Sequence, residues 1–114
     1  MNLTAGDVYY ADLDPIKGTE QRGTRPVIVV SVANLGPRAI VVPMTTTLRA
    51  WATRIPVTLH GIRAEALCEQ VRSIDIVRLN EELYGRINPE TLVEIQEIIA
   101  RLIGVYTASG PLLT

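Results

Sequence analysis

Gly18-Thr19-Glu20-Gln21-Arg22-Gly23-Thr24-Arg25-Pro26-Val27-Ile28-Val29-Val30 carries a polar loop straight into an apolar run. Proline locks its own φ and biases the residue before it toward extended backbone, so Arg25 leaves the loop already in strand geometry. The segment Val27 to Val32 is apolar on both faces, the pattern of a central strand, and Asn34-Leu35-Gly36-Pro37 closes it with turn chemistry. An arginine fixed at the mouth of such a strand has little freedom to wander, which suits a group that meets a phosphate at a set distance. The same residues read equally well as an ordinary solvent-facing connection.

Outward from this stretch the elements are short. Asp7 to Leu13 has β-favouring residues with partial alternation and stops at Asp14-Pro15, giving a first strand. Ala39 to Pro43 is a third strand, paired with the second through the Asn34–Pro37 turn. Arg54 to Leu59 is a fourth, with Pro56 demoting it to an edge or a bulge. His60-Gly61-Ile62 is a turn, Ala64 to Ile74 is further strand, Asp75 to Leu83 a short helical turn, and Tyr84 to Ile87 a last short strand. At Asn88 the pattern changes period. Asn88 is suited to cap a helix with Pro89 at its first position and Glu90 in its first turn. Leu92, Ile95, Ile98, Ile99, Leu102 and Ile103 then recur at helical spacing, and Gly104 ends the run. Short strands followed by one amphipathic helix predict a small, mainly β, barrel-like domain with the helix packed outside. The expectation is one domain over residues 1–114, with a core of about 6–105 and a loose tail over 106–114.

Composition narrows the chemistry. The chain is 47% hydrophobic yet has four Tyr, one Trp and no Phe, so its core must be built from Val, Ile, Leu and Ala. That apolar excess on a small chain points to a covered patch such as a homodimer face. Asp7 and Tyr9 interrupt the N-terminus where a signal peptide would need an unbroken apolar stretch. No apolar run approaches the ~20 residues that span a bilayer. The single cysteine, Cys68, excludes an internal disulfide and fits a reducing cytosol, so the expected location is cytoplasmic.

Net charge is −1, but its distribution is uneven: Ile16 to Arg78 holds nine basic and four acidic residues, and Asn80 onward two basic and five acidic. Ten of the eleven basic residues are Arg, the type suited to bidentate phosphate contacts, although genomic base composition also favours Arg over Lys. With one histidine and one cysteine, no zinc site of Cys and His ligands can be assembled within the chain. A histidine-based triad has only His60 to draw on, and its Gly-flanked turn reads better as surface structure. What remains is polar groups attached to apolar strands. Thr45-Thr46-Thr47 follows a strand end, where hydroxyls can reach a phosphate oxygen or satisfy turn backbone. Glu69 shares a strand face with Leu67 and Val71 in this reading, which half-buries a carboxylate and calls for a cation, with Arg25 as the candidate, unless a twist turns Glu69 to water.

Together these blocks are similar to a known family. Gly6-Asp7-Val8, Asp12-Leu13-Asp14-Pro15, Gly18 to Pro26, Val42-Pro43-Met44-Thr45-Thr46, and Glu69-Gln70-Val71-Arg72-Ser73-Ile74-Asp75 resemble, in order and spacing, the MazF/PemK family of toxin endoribonucleases, from about Gly6 to Val105. The resemblance implies a partly open SH3-like β-barrel with a C-terminal helix, working as a homodimer without cofactor, metal or membrane. It implies sequence-specific cleavage of single-stranded RNA, mRNA above all, with growth arrest as the outcome and neutralisation by a cognate MazE-like antitoxin lying in the RNA groove.

Arg25 and Thr45 match the arginine and threonine on which the family's catalysis depends. If the RNA's 2′-hydroxyl attacks the adjacent phosphate, one proton must be removed, negative charge stabilised and the leaving 5′-oxygen protonated. Arginine is a poor base, so the carboxylates Glu69 and Glu20 are the candidate proton acceptors. Some relatives have a histidine and an arginine where this chain has Thr19 and Leu67. RNA contacts are expected from Gln21, Arg22, Thr46, Arg49, Trp51, Gln70 and Arg72, with Trp51 placed either to stack on an exposed base or to cover apolar surface. Two alternatives share the architecture: a gyrase-poisoning toxin of the CcdB type, and a non-catalytic SH3-like binding module.

Overall fold

In the computed structural model, which describes residues 1–14, 18, 23–32, 34–104, 106–108 and 110–111, the apolar run after Pro26 lies mid-sheet. The strands are β1 (Asp7–Asp12), β2 (Thr24–Val29), β3 (Arg38–Thr45), β4 (Arg54–Leu59), β5 (Ile62–Leu67), β6 (Arg72–Asp75) and β7 (Gly85–Arg86), joined antiparallel in the order β4-β5-β3-β2-β1-β7 with β6 also on β3. Helix α1 (Pro89–Ile103) follows, then the short pair β8 (Tyr106–Thr107) and β9 (Gly110–Pro111). This curled antiparallel sheet with one C-terminal helix is the half-barrel that the sequence predicts.

Two cores explain the unbroken apolar run. Val27 and Val29 are buried with Tyr9, Ala11, Leu13, Val41 and Ile74 on one face of the sheet. Ile28 and Val30 are buried on the other with Val8, Val42, Met44, Ala66 and Ile95 of α1. Alternate side chains of one strand thus enter opposite cores, as the two-residue strand period requires.

Local chemistry sets the helix and the hairpin. The Asn88 side chain accepts from the Thr91 amide at 2.8 Å, Pro89 opens α1, and Gly104 closes it at φ 72°. His60 (φ 51°) and Gly61 (φ 75°) are both left-handed, the backbone of a tight two-residue β-hairpin between β4 and β5. Pro56 lies on β4, an edge strand where a missing amide does no harm.

Three expectations are corrected. The second strand spans Thr24–Val29 rather than Val27–Val32, because Thr24, Arg25 and Pro26 pair with Asp12, Ala11 and Tyr10 of β1, while Val32 lies beyond its end and is 87% exposed. The segment from Ala64 to Ile74 is not one strand: β5 ends at Leu67 and Cys68–Gln70 is a 3-10 turn before β6. The tail is not wholly loose, since Tyr106 pairs with Pro111 and Thr107 with Gly110. Among the described residues no helix is long and apolar enough to cross a membrane.

Candidate active site

A proline lies on each strand where β2 and β3 part. The amides of Tyr84 and Asn80 donate to the carbonyls of Val8 and Tyr10, so those residues turn their peptides away from β2. Tyr9 and Ala11 therefore face Val27 and Arg25, while Pro26 and Ile28 face β3. Pro26 has no N–H to give, and the β2–β3 ladder has its last pair at Val27 and Pro43. Pro43, equally without a donor, sits where the other edge of β3 changes partner, from β6 at Arg38–Val41 to β5 at Met44–Thr45.

A groove of about 480 Å³ fills the gap. Gly23 to Pro26 form one wall and Met44 to Thr46 the other; Tyr10, Leu59, Ile62, Ala64 and Tyr84 complete it. Arg25 of β2 and Thr45 of β3 both line this groove, each two residues beyond the last β2–β3 pair. Strand geometry, not a mobile loop, therefore brings together the arginine and threonine singled out in the sequence. Arg25 is half-buried and Thr45 is 7% exposed. The Thr45 Oγ1 accepts from the Thr47 amide at 3.1 Å, which leaves its own O–H to donate elsewhere.

The rest of the groove is aromatic and apolar. Tyr10 and Tyr84 meet edge to face with ring centroids 4.9 Å apart. Burial first, and the neighbouring Tyr10 second, push the Tyr84 phenol above its ordinary pKa. His60 lies in its turn as expected, its Nε2 on the Tyr84 carbonyl and its ring against the Tyr84 ring, bracing one end of the groove.

The carboxylates are arranged differently from the sequence reading. Glu69 stands on the 3-10 turn, outside the groove lining, with its Oε1 4.0 Å from Arg54 Nε, so its cation is Arg54 and not Arg25. The buried carboxylate beside Arg54 is Glu65, which the sequence reading passed over. Its signal was available: a lone charge inside Ala64-Glu65-Ala66-Leu67-Cys68. Glu65 accepts from the amides of Arg49 (2.9 Å) and Ala50 (2.8 Å) and from Arg54 Nη1 (3.1 Å). The Arg49 amide first, then the Ala50 amide and Arg54, outweigh burial and hold its carboxyl below the ordinary value of 4.5. Such a depressed group stabilises the fold above its unfolded-state pKa, and that contribution is lost as pH falls through the folded value.

The other candidates divide. Thr46 lines the groove, and Arg49 and Trp51 are exposed on the loop that follows it. Gln70, on the 3-10 turn, and Arg72, on β6, lie outside the lining. Glu20, Gln21 and Arg22 fall outside the described residues. Among the arginines, Arg38 binds Ser73, Arg54 binds Glu65, Arg78 binds the carbonyls of Asp12 and Asp14, and Arg86 pairs with buried Asp7 at 3.0 Å. These four hold the fold together. The Cys68 thiol, pushed up to about 11 by burial and then by Glu69, is chemically quiet. Among the described residues no three His, Cys, Asp or Glu side chains converge to hold a metal ion.

A curled β half-barrel with an arginine and a threonine lining one groove of a split sheet defines a class, and comparison with known proteins supplies it. Residues 4–103 match the model of the PemK-like, MazF-like toxins of type II toxin-antitoxin systems. The chain belongs to that family. It is 32% identical to endoribonuclease EndoA of Bacillus subtilis over 108 residues, covering 87% of this chain and 92% of the relative. It is 33% identical to the endoribonuclease toxin MazF of Escherichia coli K12 over 102 residues, covering 87% and 92%. MazF of Deinococcus radiodurans superposes with a TM-score of 0.80 at 20% identity, over 90% of this chain and 97% of that one. A mycobacterial endoribonuclease solved with its cognate antitoxin gives 0.73 at 21%, over 92% and 98%. The enzyme class that this kinship gives is endoribonuclease.

Proposed function

We propose that this chain is a sequence-specific toxin endoribonuclease that cuts single-stranded RNA, mRNA foremost, in the groove between the ends of β2 and β3. The observation that carries the reading is the lining of one groove by Arg25 of β2 on one wall and Thr45 of β3 on the other. In the reaction the 2′-hydroxyl oxygen bonds to the adjacent phosphorus, its proton goes to a base, and the P–O5′ bond breaks with protonation of the 5′-oxygen. The products are a 2′,3′-cyclic phosphate, or the 3′-phosphate from its hydrolysis, and a 5′-hydroxyl. Arg25 donates to the non-bridging oxygens as charge accumulates, and Thr45 adds a second donor. Attack by an internal hydroxyl needs no metal. For the proton acceptor Glu20 is preferred over Glu69, whose carboxylate turns to Arg54.

The partners follow from kinship. Solved MazE-MazF complexes of Deinococcus radiodurans share the fold of this chain, at a TM-score of 0.75 for one form. A MazE-like antitoxin would occupy the groove in place of RNA. A homodimer is supported by the apolar face beside α1, where Val30, Ile40, Val71 and Ile99 line a hollow of about 180 Å³ and Leu102 and Ile103 are exposed. Light scattering at a single chain's mass would contradict it.

The test of function is incubation of the pure protein with a long RNA in excess EDTA, followed by mapping of new 5′-hydroxyl ends. Discrete cuts at a recurring short sequence are expected; intact RNA would sink the reading. Trapped, cleaved DNA complexes with gyrase and no RNA damage would favour the gyrase poison.

A further inference from the structure

Glu65 stands opposite Thr45 in the β3–β5 register, and its polar contacts hold the loop that follows the groove wall and Arg54. Its carboxylate holds the amides of Arg49 and Ala50, fixing the loop over residues 46–53 where Ala50 is left-handed at φ 55°. It also holds Arg54, whose side chain is 9% exposed. Arg54 Nη1 in turn donates to the Thr47 carbonyl at 3.1 Å, and the Thr47 amide donates to Thr45 Oγ1. From the same position the Arg54 guanidinium lies 4.3 Å from the centroid of the Trp51 ring. Trp51 is 56% exposed.

We propose that Glu65 is a positioning residue that acts through Arg54, aiming the Thr45 hydroxyl at the scissile phosphate and presenting Trp51 as a stacking platform for an unpaired base. The inference rests on the endoribonuclease reading of the groove. The logic is geometric. A threonine hydroxyl that accepts from Thr47 is free to donate outward, and the Thr47 peptide is held by an arginine whose hydrogen-bonded carboxylate partner is buried Glu65, with Glu69 4.0 Å from its Nε. Removing the charge on Glu65 leaves Arg54, whose Nε has no hydrogen-bond partner of its own, with one fewer anchor. The loop then loses its two amide tethers to a full anion.

Two readouts test this. Trp51 is the only tryptophan, so its emission and acrylamide quenching report on this loop without RNA. Glu65→Gln is expected to change both and to lower kcat by roughly 10–100-fold, the scale of a misplaced reacting group. Kinetics in a Thr45→Ala background decide whether the loss passes through the threonine. There Glu65→Gln should cost nothing further in kcat, whereas independent, purely structural damage would multiply the two losses. Arg54→Gln, too short to bridge Glu65 and Thr47 and without a cation for the Trp51 ring, is the second variant if Glu65→Gln folds poorly, with the same expectation. Unchanged Trp51 quenching, or losses that multiply, would overturn the proposal. Wild-type protein that cuts no RNA would instead sink the functional reading, while the fluorescence result still judges whether Glu65 holds the loop.

Discussion

Replacing Arg25 by alanine is expected to lower kcat for RNA cleavage by roughly 10²–10³-fold, the loss seen when one preorganised donor to a developing oxyanion is removed. The expectation follows from where the guanidinium begins. Pro26 and the β1–β2 pairing hold the Arg25 backbone extended, and the end of the β2–β3 ladder leaves a groove wall there. Because the charge it meets accumulates in the transition state, kcat should fall more than KM rises. Arg25→Lys should recover only part of the rate, since an ammonium offers no planar fork to two phosphate oxygens. Single-turnover cleavage of one defined RNA, with circular dichroism as the control for folding, measures this. A loss smaller than tenfold would remove Arg25 from the chemistry.

Ile95→Ala is the substitution with the largest expected effect on stability. Ile95 is fully buried, the residue of α1 that enters the core shared with Val8, Ile28, Val42, Met44 and Ala66. Truncation leaves a cavity on the helix-facing side of the sheet and should cost about 2–5 kcal/mol. Against a total stability of about 5–15 kcal/mol for a domain of this kind, that is a large fraction. Val77→Ala, at a site 86% exposed, should stay within about 0.5 kcal/mol. Urea unfolding of both variants checks the pair; an Ile95→Ala midpoint equal to wild type would mean that α1 does not close this core.

The parts legible in the sequence are those governed by neighbouring residues. Asn88-Pro89 and Gly104 state where α1 begins and ends, His60-Gly61 states a hairpin, and the run after Pro26 states a strand buried on both faces. Arg25 and Thr45 were singled out by the family resemblance, since their local surroundings read equally well as an ordinary connection and turn. What escaped was set by contacts distant in sequence. Thr24 to Pro26 read as loop on local grounds, yet pairing with β1 draws them into the sheet. The 3-10 turn at Cys68–Gln70 breaks the two-residue alternation, so counting faces across it selected Glu69 as the half-buried carboxylate. The parity holds only within β5, where it selects Glu65. Its cation, Arg54, is eleven positions away in sequence but reaches it from the paired strand β4.

The central claim is that RNA is cut where β2 and β3 part. A structure of the protein with an RNA carrying a single 2′-deoxy nucleotide at the cleavage point, which removes the nucleophile and leaves the phosphate, tests it most directly. The account predicts that phosphate within hydrogen-bond distance of both the Arg25 guanidinium and the Thr45 hydroxyl. A scissile phosphate seated elsewhere, with Arg25 and Thr45 contacting no part of it, would contradict it.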